Sequence, residues 1–202
     1  QTALETFEHA YGAPLQKYER QEEFLAQSFD AVLIATPDTF HSTDMLATLL
    51  AGKHTFVEKP LATSMKELRL LEGLLSYATG RNLIVSSCHP RRFDPPFMWI
   101  REQLPEMQKN LGTLLALDID FSYHAPTANW KHTRSLLLDH ANHELDLLHF
   151  LTGHKPFTMR KLHDSFDYYS IAGKQEEGCT FTFRGTRRLT ASHFLENVTL
   201  RF

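Results

Sequence analysis

Glu58-Lys59-Pro60 ends the apolar run Thr55-Phe56-Val57 with an acid, a base and a proline. Ligands of open α/β sheets bind outside the carboxyl ends of the strands, so a Glu-Lys pair at such a point faces whatever the sheet holds. Pro60 has no N–H and a fixed φ, which stops the strand ladder and stiffens the backbone beneath the lysine. A solvated charge pair before a loop is the plainer alternative. Asp139-His140-Ala141-Asn142-His143-Glu144-Leu145-Asp146 is a second chemical stretch. On a helix, Asp139, His143 and Asp146 share one face, while Ala141, Leu145 and Leu148 share another. A histidine with a carboxylate one turn to either side is held in one tautomer with its basicity raised, as a general base requires. Surface charge pairing, or a metal held by the same trio, is the alternative. In His89-Pro90-Arg91-Arg92-Phe93-Asp94-Pro95 the two arginines suit an anionic substrate or phosphate, or else ion pairs at a hinge. Trp130, Lys131, His132 and Arg134 form a basic loop that would border the cleft.

The elements that must position these groups follow from periodicity. A helix over Leu4 to Tyr11, a short strand at Leu15 to Tyr18 and a short helix at Glu22 to Ser28 come first. Ala31-Val32-Leu33-Ile34-Ala35 is a continuous apolar run, the pattern of a strand buried on both faces of a parallel sheet. A helical stripe ending at Gly52, a strand at Thr55 to Val57, a helix from Ser64 to Tyr77 and a strand at Leu83 to Val85 follow. Ser64 and Glu67 have the spacing of a capping box. Strand, helix, strand, helix, strand predicts βαβ units with right-handed crossovers, hence a doubly wound Rossmann-type sheet.

After Pro95-Pro96 the rhythm changes. A helix is expected over Phe97 to Leu104, a strand over Thr113 to Tyr123 and a helix over Leu136 to Leu151. Phe157 to His163, Tyr168 to Ala172, Cys179 to Phe183, Arg188 to Phe194 and Val198 to Phe202 then read as strands without helices between them. That is an α+β unit with a mostly antiparallel sheet, and the expected division is 1–90 and 91–202.

Composition narrows the partners. The chain has 202 residues, 42% hydrophobic content, 22% charged residues and a formal net charge of -3, which gives no field to gather nucleic acid or an anionic membrane surface. Cys88 and Cys179 show no paired spacing, so neither a disulfide framework nor a zinc site is indicated and a reducing compartment, the cytoplasm, is expected. No apolar run reaches the ~18 residues needed to cross a bilayer.

Taken together, these residues resemble the Gfo/Idh/MocA family of NAD(P)-dependent oxidoreductases, which act on sugars, inositols and related polyols. Ala31 to Asp38 with His41 is similar to the family's strand and Thr-Pro loop, and Gly52 to Leu61 to its Glu-Lys-Pro strand. Asp139, His143 and Asp146 match its Asp-x-Gly-x-His-x-x-Asp helix. The resemblance implies NAD or NADP lined by Thr36, Pro37, His41, Glu58 and Lys59. It implies Lys59, His143 and Asp139 as the catalytic group, and Arg91, Arg92, Asp139 and His143 as substrate-binding residues. A small sugar or polyol substrate and a homodimer or homotetramer are its further implications. A non-catalytic sugar or nucleotide sensor, or an inactive remnant, would share the fold. The family's Gly-x-Gly-x-x-Gly turn and its C-terminal end are not in the sequence, so a fragment is expected. Ala141 stands where the family has glycine, which would alter substrate approach.

Overall fold

The computed structural model describes residues 3–124, 135–188 and 194–202. The basic loop Trp130-Lys131-His132 with Arg134, and residues 189–193 of the strand expected over Arg188 to Phe194, lie outside the described residues.

Helices α1 (Ala3–Tyr11) and α2 (Gln21–Leu25) precede a three-stranded parallel sheet of order β1-β2-β3, built from β1 (Ala31–Ile34), β2 (His54–Val57) and β3 (Val85–Ser87). Between the strands run α3 (His41–Leu50) and α4 (Met65–Thr79). Both helices cover the face that carries Val32, Ile34 and Val57, closing a core with Met45, Leu49, Leu71, Leu74 and Ala78. Burial on both faces, expected for β1, is corrected: Leu33 is 67% exposed and Phe56 40% exposed on the opposite side. Apolar continuity therefore marks a parallel strand here without marking two covered faces. The capping box forms, because the Ser64 hydroxyl accepts from the Glu67 N–H at 3.3 Å. The Glu67 carboxylate reaches back to the Thr63 N–H at 2.6 Å.

Two short strands were misplaced by hydrophobicity. Leu15 to Tyr18 joins no sheet among the described residues, and the Leu15 N–H donates to the Glu8 carboxylate at 3.0 Å. The third strand begins at Val85 instead of Leu83, because Leu83 still donates back to the Ala78 carbonyl at 2.9 Å. Ser86 and Ser87 then pair with Phe56 and Val57. The next helix, α5 (Pro95–Leu111), is longer than expected: Pro95 and Pro96 occupy its first positions, where a missing N–H costs nothing.

The second sheet has the order β5-β6-β7-β4-β8, formed by β4 (Ala116–Ser122), β5 (Pro156–Asp164), β6 (Tyr168–Gln175), β7 (Thr180–Thr186) and β8 (Leu195–Arg201). Among the described strands of this sheet β4 and β7 pair in parallel and the other neighbours pair antiparallel. Leu117, Ile119, Tyr169, Ile171, Phe181 and Phe183 pack from this sheet against Leu136, Leu147, Leu148 and Leu151 of α6 (Leu136–Thr152). The whole is a Rossmann-type parallel sheet followed by an α+β layer with a mostly antiparallel sheet.

One position in that layer sets a sharp steric limit. A Cβ at Gly185 would lie 2.2 Å from the Tyr169 ring, which is fully buried across the β6–β7 ladder. Gly185→Ala is expected to lower unfolding free energy by about 1–3 kcal/mol, the cost of overpacking a closed core, as read from the denaturation midpoint. A midpoint equal to that of the unsubstituted chain would mean the tyrosine ring moves freely.

Candidate active site

Lys59 stands just beyond β2, whose pairing continues as Glu58 N–H donates to the Ile34 carbonyl at 2.9 Å. The carboxyl ends of β1, β2 and β3 thus present Thr36, Glu58, Lys59 and Cys88 together. Thr36 Oγ1 donates to Asp44 at 2.7 Å, while Thr36 and Pro37 remain exposed at the rim. Burial, with Glu58 beside it, pushes the Cys88 thiol up.

Across the cleft lies α6. Lys59 Nζ donates to the Asp139 backbone carbonyl at 2.9 Å and to its Oδ1 at 3.3 Å. This contact brings the strand-end lysine next to the helix that carries His143. His41, expected beside the cofactor, lies beneath the two loops. It is 1% exposed, with Nδ1 2.8 Å from the Pro60 carbonyl and Nε2 2.8 Å from the Thr36 carbonyl, so neither ring nitrogen is left for a ligand. It fastens the Thr-Pro and Lys-Pro loops to each other.

The carboxylates do not flank His143 as expected. Asp139 turns to Lys59 and to Arg187, whose Nη2 donates to Oδ2 at 3.0 Å. Asp146 accepts both Arg92 Nε at 2.8 Å and Arg92 Nη2 at 2.5 Å, with His89 Nδ1 3.7 Å away. His143 is instead half-buried among positive neighbours. Burial first, then His140, Lys59, Arg91 and His89, push its pKa down to about 2. Its basicity is therefore lowered in this state, because no carboxylate is left to stabilise the imidazolium.

The low pKa has a consequence for stability. The unfolded chain binds a proton at His143 near pH 6.5 and the folded one does not, so stability rises with pH up to that point and falls on acidification below it. The contribution is about 1.4 kcal/mol between pH 7.5 and 5.5. Removing it with His143→Gln should flatten the acid limb of denaturant midpoints by that amount. An unaltered limb would place the proton elsewhere.

Arg91 and Arg92, expected to bind substrate, have both guanidinium groups committed to carboxylates. Arg92 forms the bidentate pair with Asp146 on α6, and Arg91 pairs with Glu196 of β8. Arg91 also lies over the Phe121 ring, 5.4 Å from its centroid. Ala141, where the resemblance expects glycine, is 3% exposed and packs in the core of the second layer.

Sequence pattern missed several groups. Glu144 is completely buried on the sheet-facing side of α6, with Oε1 2.8 Å from His140 Nδ1. The His140 ring stacks on Phe121 at 3.7 Å between centroids, one turn from His143. Arg187 and Tyr123, at the ends of β7 and β4, join through a 3.0 Å hydrogen bond. Nothing in Thr186-Arg187-Arg188 distinguishes the buried arginine from the exposed one after it. A cleft of about 620 Å³ lies along the outer edge of β1 between Leu15, Phe24 and Ile34, and Thr36 lines it too.

Residues 1–86 match a family model described as an oxidoreductase family with an NAD-binding Rossmann fold, Gfo/Idh/MocA. Inositol 2-dehydrogenase of Corynebacterium glutamicum (strain R) is 34% identical over 149 residues, which cover 72% of this chain and 42% of that protein. The 4-carboxy-2-hydroxymuconate-6-semialdehyde dehydrogenase of Sphingobium sp. (strain NBRC 103272 / SYK-6) is 28% identical over 148 residues, covering 71% of this chain and 45% of its own. The chain thus spans about half the length of the curated relatives it matches. The crystal structure of a probable dehydrogenase from Thermotoga maritima superposes with a TM-score of 0.82 over 98% of this chain and 62% of that one, at 20% identity, and so shares the fold.

Proposed function

Because the chain belongs to the Gfo/Idh/MocA oxidoreductase family, we propose that it works in reversible hydride transfer between a nicotinamide cofactor, NAD or NADP, and a secondary alcohol of a sugar, inositol or related polyol. The observation that carries this reading is the Lys59–Asp139 contact, which sets a strand-end ammonium against the helix of His143. Residues 1–90 form part of the dinucleotide-binding unit in this reading, and 91–202 the substrate and oligomerisation unit. Thr36, Pro37 and Glu58 fit a dinucleotide because they line the carboxyl edge of a parallel sheet, where such ligands lie. A bound nicotinamide supplies the hydride acceptor at C4.

The chain's own residues do the rest. As the alcohol's C–H electron pair departs as hydride and C=O forms, the O–H proton goes to His143. A neutral imidazole is ready to accept it, and negative charge growing on the adjacent oxygen restores the basicity that burial removes. Lys59 donates to that oxygen. Asp139 holds Lys59 in place. Arg91 and Arg92 shape the substrate wall through their ion pairs. Both cysteines are free, which fits work in the reducing cytoplasm. The exposed apolar residues Phe157, Met159, Leu162 and Leu195 favour a homodimer or homotetramer.

The test is titration of this chain, and of any longer natural form, with NADH and NADPH while following nicotinamide fluorescence, then turnover of inositols and sugars. Saturable binding with turnover supports the reading. Saturable binding without turnover would favour a sensor, a second reading motivated by the weak basicity of His143. Absence of binding by every form would remove the dehydrogenase reading.

A further inference from the structure

Arg187 approaches Asp139 from the side opposite Lys59. Its side chain is 2% exposed and every polar edge is used: Nη2 to Asp139 Oδ2 at 3.0 Å, Nε to the Tyr123 hydroxyl at 3.0 Å, and Nη1 to the Phe166 carbonyl at 3.1 Å. The guanidinium also faces the Phe166 ring at 4.8 Å. Such enclosure fixes the fork in one orientation, and with it the carboxylate. One carboxylate therefore serves two cations, Lys59 and Arg187.

The consequence is a matter of net charge. Lys59 and Asp139 alone make a neutral pair, whose field at a nearby oxygen largely cancels. The Lys59–Asp139–Arg187 trio carries one excess positive charge, in surroundings that screen it less than water does, and the neighbouring Glu58 carboxylate accepts from the Lys59 backbone N–H at 3.3 Å. We propose that Arg187 is a positioning residue that holds Asp139 and takes up part of its charge, leaving Lys59 an incompletely balanced cation where the substrate oxygen turns negative. The proposal rests on the hydride-transfer reading of the same site. The other ionisable groups around Lys59 are Glu58 beside it, Cys88 and His89 beyond β3, and His143 on α6. None of them bonds to Asp139 Oδ2, among the described residues.

Arg187→Gln keeps amide donors and removes the charge, whereas Arg187→Lys keeps the charge. The first readout needs no turnover: the rate at which acetic anhydride acylates Lys59, relative to exposed Lys66, measured by mass spectrometry on the folded chain. Losing a like charge and regaining a whole carboxylate both favour the ammonium form, so Lys59 should react about threefold to tenfold more slowly in Arg187→Gln. Arg187→Lys should react at nearly the original rate. A structural tie alone would loosen on substitution and expose Lys59, so an unchanged or faster rate in Arg187→Gln overturns the proposal. Should that variant not fold, Asp139→Asn serves: with Arg187 still beside it and the anion gone, Lys59 should react faster by a similar factor, and no increase overturns the proposal. The second readout is kinetic. In the cofactor-binding form, Arg187→Gln should lower kcat about tenfold or more with little change in KM, and Arg187→Lys should recover most of it. Failure of the unsubstituted protein to turn over any alcohol would remove the hydride-transfer reading and leave the acylation result to decide the electrostatic role.

Discussion

In the proposed hydride transfer, Lys59→Met is expected to lower kcat for polyol oxidation by about 10²- to 10³-fold, the loss associated with removing one preorganised donor to a developing oxyanion. His143→Ala should cost about 10²- to 10⁴-fold through loss of the proton acceptor. The fold should survive both. Lys59 has a side chain 23% exposed, and its removal leaves Asp139 still paired with Arg187, so no carboxylate is stranded without a cation. Steady-state formation of reduced nicotinamide measures the rate, and near-ultraviolet circular dichroism checks the tertiary structure. Turnover within about threefold of the original would take Lys59 out of the chemistry and leave it as a strand-end ion pair.

The second large effect concerns stability. Arg91 and Glu196 have side chains only 12% and 10% exposed, and they join the segment after β3 to the last strand. Glu196→Ala leaves the guanidinium buried beside Phe121 with its main partner gone. Breaking a buried pair from one side costs about 3–5 kcal/mol, and the lower end applies because Glu144 also attracts Arg91. The expected loss of about 3 kcal/mol would be read from a denaturant midpoint. Arg91→Met combined with Glu196→Leu should recover much of it, since both desolvated charges disappear together. A loss below about 1 kcal/mol in Glu196→Ala would show that water replaces the carboxylate.

How much of this was legible beforehand varies with the kind of signal. The βαβ rhythm and the α6 helix could be read because apolar spacing is a local property, whereas the grouping of Lys59, Asp139 and His143 was implied only by the family resemblance. Strand β3 was displaced because Ser86 and Ser87 pair through backbone bonds that hydrophobicity does not report. The partner of each charge was hidden for a different reason. Helical spacing put Asp139 and Asp146 near His143, but their side chains chose Lys59, Arg187 and Arg92, which come from other elements. Partner choice is a tertiary fact. It also inverted the inferred electrostatics of His143, from a base strengthened by carboxylates to one weakened by burial and cations.

Helix α6 receives Lys59 at Asp139 and Arg92 at Asp146, while β8 receives Arg91 at Glu196. These contacts amount to a compatibility rule for recombination. A chimera joined near Asp94 to the second half of a relative inherits its charges from two parents. It should be most stable when the incoming half supplies acids at the positions of Asp139, Asp146 and Glu196. Shuffled libraries filtered on those three positions should therefore be enriched in folded members before any selection for substrate.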